Sequence, residues 1–390
     1  MKKKIVKIIA IVSILIVAIA AIGIAYIAIP RHQAVVEASE TRKSTEQSKT
    51  SQSSEPVELT EERKFVNEMG VGINIGNSLD VCDWNAKFTI SSRPETYETT
   101  WGNVPISDGL IKMIADKGYG TVRIPVTYMN HIDGNGNVDP SWLLRITEVV
   151  NMVISHGMYC IIDIHHDTGN DGWIKASQKN YEQNHERVTT MITQIAECFK
   201  DYDDHLILEG FNEMVDDNNK WTEVPDGSLK AFNQWNQLFV DTVRGTGSNN
   251  ATRYLLVNTY AASFDARNVD GFELPKDSVK NRILVGVHGY ISSKEMDAGF
   301  DGIRRLYDKG FAIVISEFGS SGQSKVDRAE YTEDYSRRAA EIGACVLLWD
   351  DGSNAAKAVD VQNFAIMDRK NLRWYFPKIA DALKNGHKTN

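Results

Sequence analysis

Glu213 and Glu317 each close a short apolar run, HLILEGFNE (205–213) and FAIVISEFG (311–319). A pair of carboxyl groups, one protonated and one ionised, is the equipment for cleaving a glycosidic bond. The acid protonates the leaving oxygen while the carboxylate attacks the anomeric carbon, so the two environments must push the two pKa values apart. Other chemistry-bearing residues end similar runs. Arg123 lies in GTVRIPV (120–126), and His165 and His166 end YCIIDIHH (159–166). Asn258 and Tyr260 end RYLLVNTY (253–260), His288 and Tyr290 end RILVGVHGY (282–290), and Trp349 lies in ACVLLWDDG (344–352). Singly, a strand-end Glu is more often solvated or salt-bridged, and a lone Trp is more often core. Jointly they point to one shared site, because buried charges cost several kcal/mol unless paired.

Within such a site Glu317 suits the nucleophile, held ionised by Arg123 and by a hydrogen bond from Tyr290. Glu213 suits the acid that turns base in the second step. Asn212, beside it, can bond the 2-hydroxyl of the reacting sugar, and Trp349 can offer a flat apolar floor. His165 and His166 could be hydrogen-bonded histidines or metal ligands. Adjacent strand residues point to opposite faces, so both reaching one ion requires a bend. Cys160 and Asp163 do not complete a ligand set. No metal and no other cofactor is expected.

The elements that must position these residues alternate. To the runs above, GVGINIG (70–76) adds one more, giving eight. Between them lie helical candidates near 107–117, 141–157, 184–200, 228–245, 297–309, 328–342 and 374–385, with a loop-rich link from the fifth run to the sixth. Continuous apolar strands separated by helices mean a parallel sheet covered on its outer face. Eight of them predict an α/β fold of the (β/α)8 TIM-barrel type, whose active site lies at the C-terminal strand ends. An open doubly wound sheet is the alternative, but no glycine-rich phosphate loop follows the first run.

With those pieces in place, the sequence resembles the family-5 glycoside hydrolases, in particular the bacterial endoglucanase/xyloglucanase branch. Matching segments are GINIGNSLD (72–80), TTWGN (99–103), TVRIPVTY (121–128), DIHHD (163–167), LEGFNE (208–213), VNTYAAS (257–263), VHGY (287–290), ISEFG (315–319) and LWDDG (348–352). They keep the family's order across nearly everything after residue 59. The resemblance implies functional roles for Arg123, His165, Asn212, Glu213, His288, Tyr290, Glu317 and Trp349, and sugar contacts for Asn77 and His166. Departures are Met214 where Pro usually follows the acid/base Glu, Tyr128 where Trp is common, and a short segment from Tyr290 to Phe311. Each bears on the subsites rather than on the catalytic groups. Trp84, Trp101, Trp173 and Trp221 fall in loop-like segments, as either sugar platforms or loop packing.

The flanks differ from this core. Lys2, Lys3, Lys4 and Lys7 precede an apolar run from Ile8 to Ile29. That length fits a spanning helix better than a signal core, although small residues such as Ala18 and Ala20 would support cleavage. The lysines favour the cytoplasmic side, which places the chain after Pro30 outside the cytoplasm. Residues 1–30 are therefore expected to be a signal peptide or membrane anchor, 31–57 a disordered Ser/Thr/Glu-rich linker, and 58–390 the catalytic domain. The 390-residue chain has a formal net charge of −9 and no basic stripe, which argues against a nucleic-acid partner. Cys82, Cys160, Cys198 and Cys345 show neither CxxC spacing nor density, which argues against a disulfide framework or zinc site.

The expectation is a retaining endo-β-1,4-glucanase, monomeric, extracellular or tethered to the outer face of a bacterial membrane through its N-terminal segment only. Xyloglucanase, mannanase or xylanase activity on the same machinery is the alternative. A non-catalytic surface glycan-binding protein is a third reading. It has no use for a Glu pair backed by Arg123, Asn212 and Tyr290.

Overall fold

The computed structural model describes residues 59–90, 94–352 and 363–388. The apolar run and linker expected over 1–57 lie outside the described residues. The described residues within 58–390 form one compact unit. Eight parallel strands close into a barrel in chain order: β1 (Val71–Ile75), β2 (Thr121–Ile124), β3 (Tyr159–Ile164), β4 (Leu206–Phe211), β5 (Leu255–Asn258), β6 (Ile283–His288), β7 (Ile313–Phe318) and β8 (Cys345–Asp350), with β8 pairing back onto β1. The fold is the (β/α)8 barrel that the alternation predicts.

Helices α1 (Glu61–Met69), α2 (Pro94–Thr100), α3 (Asp108–Lys117), α4 (Pro140–Ser155), α5 (Gln178–Phe199), α6 (Asp226–Gly245), α7 (Ala266–Gly271), α8 (Met296–Asp308), α9 (Arg328–Glu341) and α10 (Pro377–Gly386) accompany the strands. Four of their starts carry a capping side chain. The Ser107 and Ser177 side chains accept from backbone N–H groups of α3 and α5, and Asp327 caps α9. Pro140 opens α4 behind an Asp139 cap. Helices α1, α2 and α7 are not expected from the pattern. They are only 9, 7 and 6 residues long, too short for helical periodicity to show. The link from β5 to β6, expected as loop, thus contains α7. Trp374, expected at the start of the last helix, belongs instead to a small antiparallel pair, β9 (Met367–Asp368) with β10 (Arg373–Trp374).

Side chains alternate along each strand, so every second residue enters the barrel. The lower interior is apolar: Ile161, Ile207, Leu256, Leu284, Val314 and Leu347 pack in one cluster with Phe65, Val66 and Met69 of α1, which plugs the bottom. Two residues further along the same strands come Asp163, Glu209, Asn258, Gly286, Ser316 and Trp349, joined by Asn74 and Arg123 of β1 and β2. The upper interior is therefore polar. Gly286 is required there, because a Cβ would sit 1.9 Å from Oδ1 of Asn258. Apolar packing at the bottom fixes the strands on which the polar layer is held.

Candidate active site

Arg123 organises the polar layer. It is fully buried, and its guanidinium donates to Glu209 Oε2 at 2.6 Å and Oε1 at 2.9 Å, Asp163 at 2.7 Å, Asn74 at 3.0 Å, Asn212 at 2.8 Å and Glu317 at 2.8 Å. Residues from several strands or strand ends are thereby tied to one cation. Asn258 extends the net, donating to Glu209 at 2.7 Å. The carbonyls of Phe211 and Asn212 accept from the same amide, at 3.0 and 3.2 Å. A buried ion cluster of this kind adds little to stability alone, since desolvation offsets much of the attraction. What it provides is rigidity directly beneath the two glutamates.

Register shifts re-aim strands at the rim: one in the β6–β7 pairing sets His288 opposite Glu317, and β3–β4 carries another beyond Ile162. Glu213 stands two residues past the end of β4, its backbone N–H bonded to Oγ1 of Thr168 at 3.3 Å. One potential ligand atom each of Glu213, His288 and Glu317 lies within 4.8 Å of the others. The nearest oxygens of the two glutamates thus approach within 4.8 Å, which favours the short carboxyl separation of about 5–5.5 Å that a retaining enzyme uses. Tyr290 donates to Oε2 of Glu317 at 2.9 Å, and Arg123 holds Oε1.

The two glutamates differ electrostatically. Burial pushes Glu213 up to about 7, against weaker lowering by His166 and Arg123. Burial raises Glu317 overall, opposed by His288 where that ring is charged, by Arg123 and by the Tyr290 hydroxyl. Glu317 thus has direct charge and hydrogen-bond support for its ionised form, whereas Glu213, with a side chain 30% exposed, accepts no guanidinium hydrogen bond among the described residues. Burial drives His288 and His165 downward, so both imidazoles are neutral at neutral pH. The arrangement can hold one carboxylic acid and one carboxylate across a sugar at neutral pH.

His165 follows β3 and binds Asp163 through Nδ1 at 2.7 Å; its ring lies parallel to Trp349 with centroids 5.8 Å apart. Gly76 leaves room for that indole, since a Cβ there would be 2.4 Å from the Trp349 ring. His166 lies at the edge of Trp84 and tilted to Trp101, with centroids 5.8 and 5.7 Å away. Asn77 has positive φ in the turn after β1, where its N–H donates to Asp80 at 3.0 Å and its carbonyl accepts from Asn103 at 2.8 Å. All ten residues singled out for the site from sequence lie at or just beyond the C-terminal ends of the strands.

The loop tryptophans divide. Trp84 and Trp221 are exposed, at 39% and 38%, and Trp101 is half-buried against Trp84. Trp173 is 7% exposed and donates to Asp167 at 2.7 Å, which makes it loop packing. Tyr260 also leaves the site: it is buried, bonded to Asp216 and Lys220 of the β4–α6 loop. Tyr128 is a core residue, and α8 fills most of the short stretch from Tyr290 to Phe311. Sequence alone does not single out Asn74 and Glu209. Their signal is a polar or charged residue in the middle of an apolar run, which the reading by run endings passes over.

With this geometry in view, comparison with known proteins is decisive. Residues 85–355 match the model of the family described as cellulase (glycosyl hydrolase family 5). The chain belongs to glycoside hydrolase family 5. Among relatives of this family-5 hydrolase, endoglucanase A of Clostridium longisporum is 34% identical over 349 residues, covering 83% of this chain and 66% of the relative, just under two thirds of its length. A solved GH5-4 broad specificity endoglucanase from the same organism superposes with a TM-score of 0.77 at 32% identity, covering 85% of this chain and 99% of the other. A family-5 enzyme from Prevotella bryantii B14, solved with a xyloglucan tetradecasaccharide, gives 0.76 at 30% identity over 85% of this chain and 99% of that one.

Proposed function

We propose that this family-5 hydrolase is a retaining endo-β-1,4-glucanase that cleaves β-glucans through a covalent glycosyl-enzyme. The observation that carries the reading is the Glu213–His288–Glu317 cluster, with one glutamate bonded by Arg123 and Tyr290 and the other raised to about 7. In the first step Glu317 attacks the anomeric carbon while Glu213 protonates the departing oxygen. In the second, Glu213 as carboxylate removes a proton from water, which displaces Glu317. Net configuration is retained. Asn212, fixed by Arg123, faces the 2-hydroxyl, and Trp349 with His165 forms the floor of the reacting subsite.

The broad specificity in the name of the Clostridium neighbour, and the xyloglucan in the Prevotella one, support tolerance of branched glucan. The short β6–α8 link agrees with this, because it puts little chain over the cleft. Hydrolysis of carboxymethyl-cellulose, lichenan, xyloglucan, mannan and xylan tests the reading. Activity is expected on the first three; preference for mannan or xylan would overturn it.

Export belongs to the same proposal. The lysine-flanked apolar run and polar linker would place a monomeric catalytic domain outside the cell, tethered or released. Sequencing the N-terminus of native protein tests the tether: a start beyond about residue 25 means a released enzyme.

A further inference from the structure

Strand β3 ends at Ile164, so His165 and His166 do not alternate across a sheet. The chain turns after the strand, His165 N–H bonding the Val126 carbonyl at 2.8 Å and His166 N–H bonding Oγ1 of Thr127 at 3.1 Å. That bend brings the two imidazoles together, with centroids 4.6 Å apart, beside Asp80 of the β1 turn. One potential ligand atom each of Asp80, His165 and His166 falls within 4.8 Å of the other two. The obstacle to a shared ion that strand alternation would impose is therefore absent.

The three groups are prepared unequally. Asp163 takes Nδ1 of His165 at 2.7 Å and is itself held by Arg123 and the Val126 N–H. This fixes the ring and leaves Nε2 as its free nitrogen, the carboxylate–histidine arrangement that orients metal-binding imidazoles. Asp80 is fixed by the N–H groups of Asn77 and Ser78, at 3.0 and 2.7 Å, each using one lone pair of a carboxylate oxygen. His166 is the adjustable member, with a side chain 30% exposed and Nε2 3.8 Å from Asp80. Zinc bound by nitrogen and oxygen at about 2.0–2.1 Å would set ligands about 3.3 Å apart, so His166 must close on Asp80 by about 0.5 Å and neither other pair by more than about 1.5 Å.

We propose that Asp80, His165 and His166 form a site for a divalent transition-metal ion, Zn2+ being the natural probe, that is reached on the side of the partly exposed His166 and competes with glucan. Two imidazoles and one carboxylate leave a fourth zinc position for water. Imidazole ligands select Zn2+ and Cu2+ over Mg2+ and Ca2+. The ion is inhibitory rather than catalytic: it sits among the sugar-contacting residues beside Trp349, while Glu213 and Glu317 need no metal for their chemistry. Only the competition with glucan rests on the proposed function; the binding does not.

The test is calorimetric titration of the chelator-treated full chain with ZnCl2, with MgCl2 as control, beside steady-state kinetics on a cello-oligosaccharide. Zn2+ is expected to bind once and to raise KM with kcat unchanged, while Mg2+ gives neither effect. His166→Gln, a change at a partly exposed side chain, should weaken Zn2+ binding at least tenfold. The double variant Glu213→Gln/Glu317→Gln should keep it, which separates this trio from the neighbouring Glu213–His288–Glu317 cluster. Absence of Zn2+ binding, equal binding of Mg2+, loss in the glutamate variant, or retention in His166→Gln would each overturn the proposal. Inactivity of the zinc-free enzyme on every glucan would count against the hydrolase reading and leave the titration to be judged by itself.

Discussion

The Nδ1 nitrogen of His288 lies 2.7 Å from Oε1 of Glu213. The same nitrogen is 3.6 Å from Oε2 of Glu317, so one imidazole lies between the two glutamates. Burial keeps that ring neutral. A neutral imidazole offers Glu213 a hydrogen bond but not the full cationic support that would hold it ionised, and Glu213 stays up at about 7.

The pH dependence has a definite sign. Glu213 must be protonated to assist departure of the leaving group, so kcat/KM on unactivated glucan should fall as pH rises through about 7. Glu317 must be ionised to attack, so activity should also fall as pH drops through its pKa, which burial sets above the ordinary carboxylate range. In Glu213→Gln, assayed on a dinitrophenyl glycoside whose leaving group needs no proton, the alkaline fall should vanish and the acidic one remain. A pH–rate series on both enzymes checks this.

Tyr290→Phe removes the hydroxyl that donates to Oε2 of Glu317. A hydrogen bond to a charged group contributes about 1.5–3 kcal/mol, so kcat/KM should fall roughly 10- to 150-fold. Because the hydroxyl favours the ionised form, its loss should move the acidic limb to higher pH. The half-exposed ring should leave the melting temperature nearly unchanged, as calorimetry would show.

How much of this is legible in the sequence depends on where the signal lies. Eight apolar runs and their endings disclose the barrel, and with it the meeting of Arg123, Glu213 and Glu317, because parallel strands converge at one rim. The inner ring of Asn74 and Glu209 is hidden by a reading that looks only at run ends, although each interrupts an apolar stretch. Trp173 and Trp221 look alike in sequence. Only the fold shows the first buried on Asp167 and the second exposed, donating to Asn170 at 2.9 Å. The convergence of His165 and His166 is equally hidden, because it depends on a strand ending one residue before them.

Arg123→Lys should damage both fold and function. An ammonium cannot reach Asn74, Asp163, Glu209, Asn212 and Glu317 together, so buried carboxylates lose their partner. Breaking such pairs costs about 3–5 kcal/mol. A melting temperature lowered by several degrees, together with kcat reduced about a hundredfold or more, is the expected outcome in thermal unfolding and kinetic assays.

The tryptophans should separate by assay. Trp84→Ala and Trp221→Ala remove exposed indoles, and if these are sugar platforms each should raise KM for long cello-oligosaccharides about fivefold, near 1 kcal/mol, with little change in stability. Trp173→Ala instead opens a cavity and leaves Asp167 without its indole donor, costing about 3–5 kcal/mol in thermal unfolding.

The division of labour between Glu213 and Glu317 is tested most directly by azide rescue. In Glu317→Ala the nucleophile is gone and turnover on a dinitrophenyl β-glycoside should stop. Azide should restore it by entering the vacated face and leave an α-glycosyl azide. In Glu213→Ala the glycosyl-enzyme still forms, so azide should intercept it and give the β-glycosyl azide with retained configuration. Proton NMR of the two products distinguishes the anomers. The α product from Glu317→Ala and the β product from Glu213→Ala are predicted. The reverse pattern would exchange the two roles, and the α product from both variants would contradict the covalent, retaining mechanism itself.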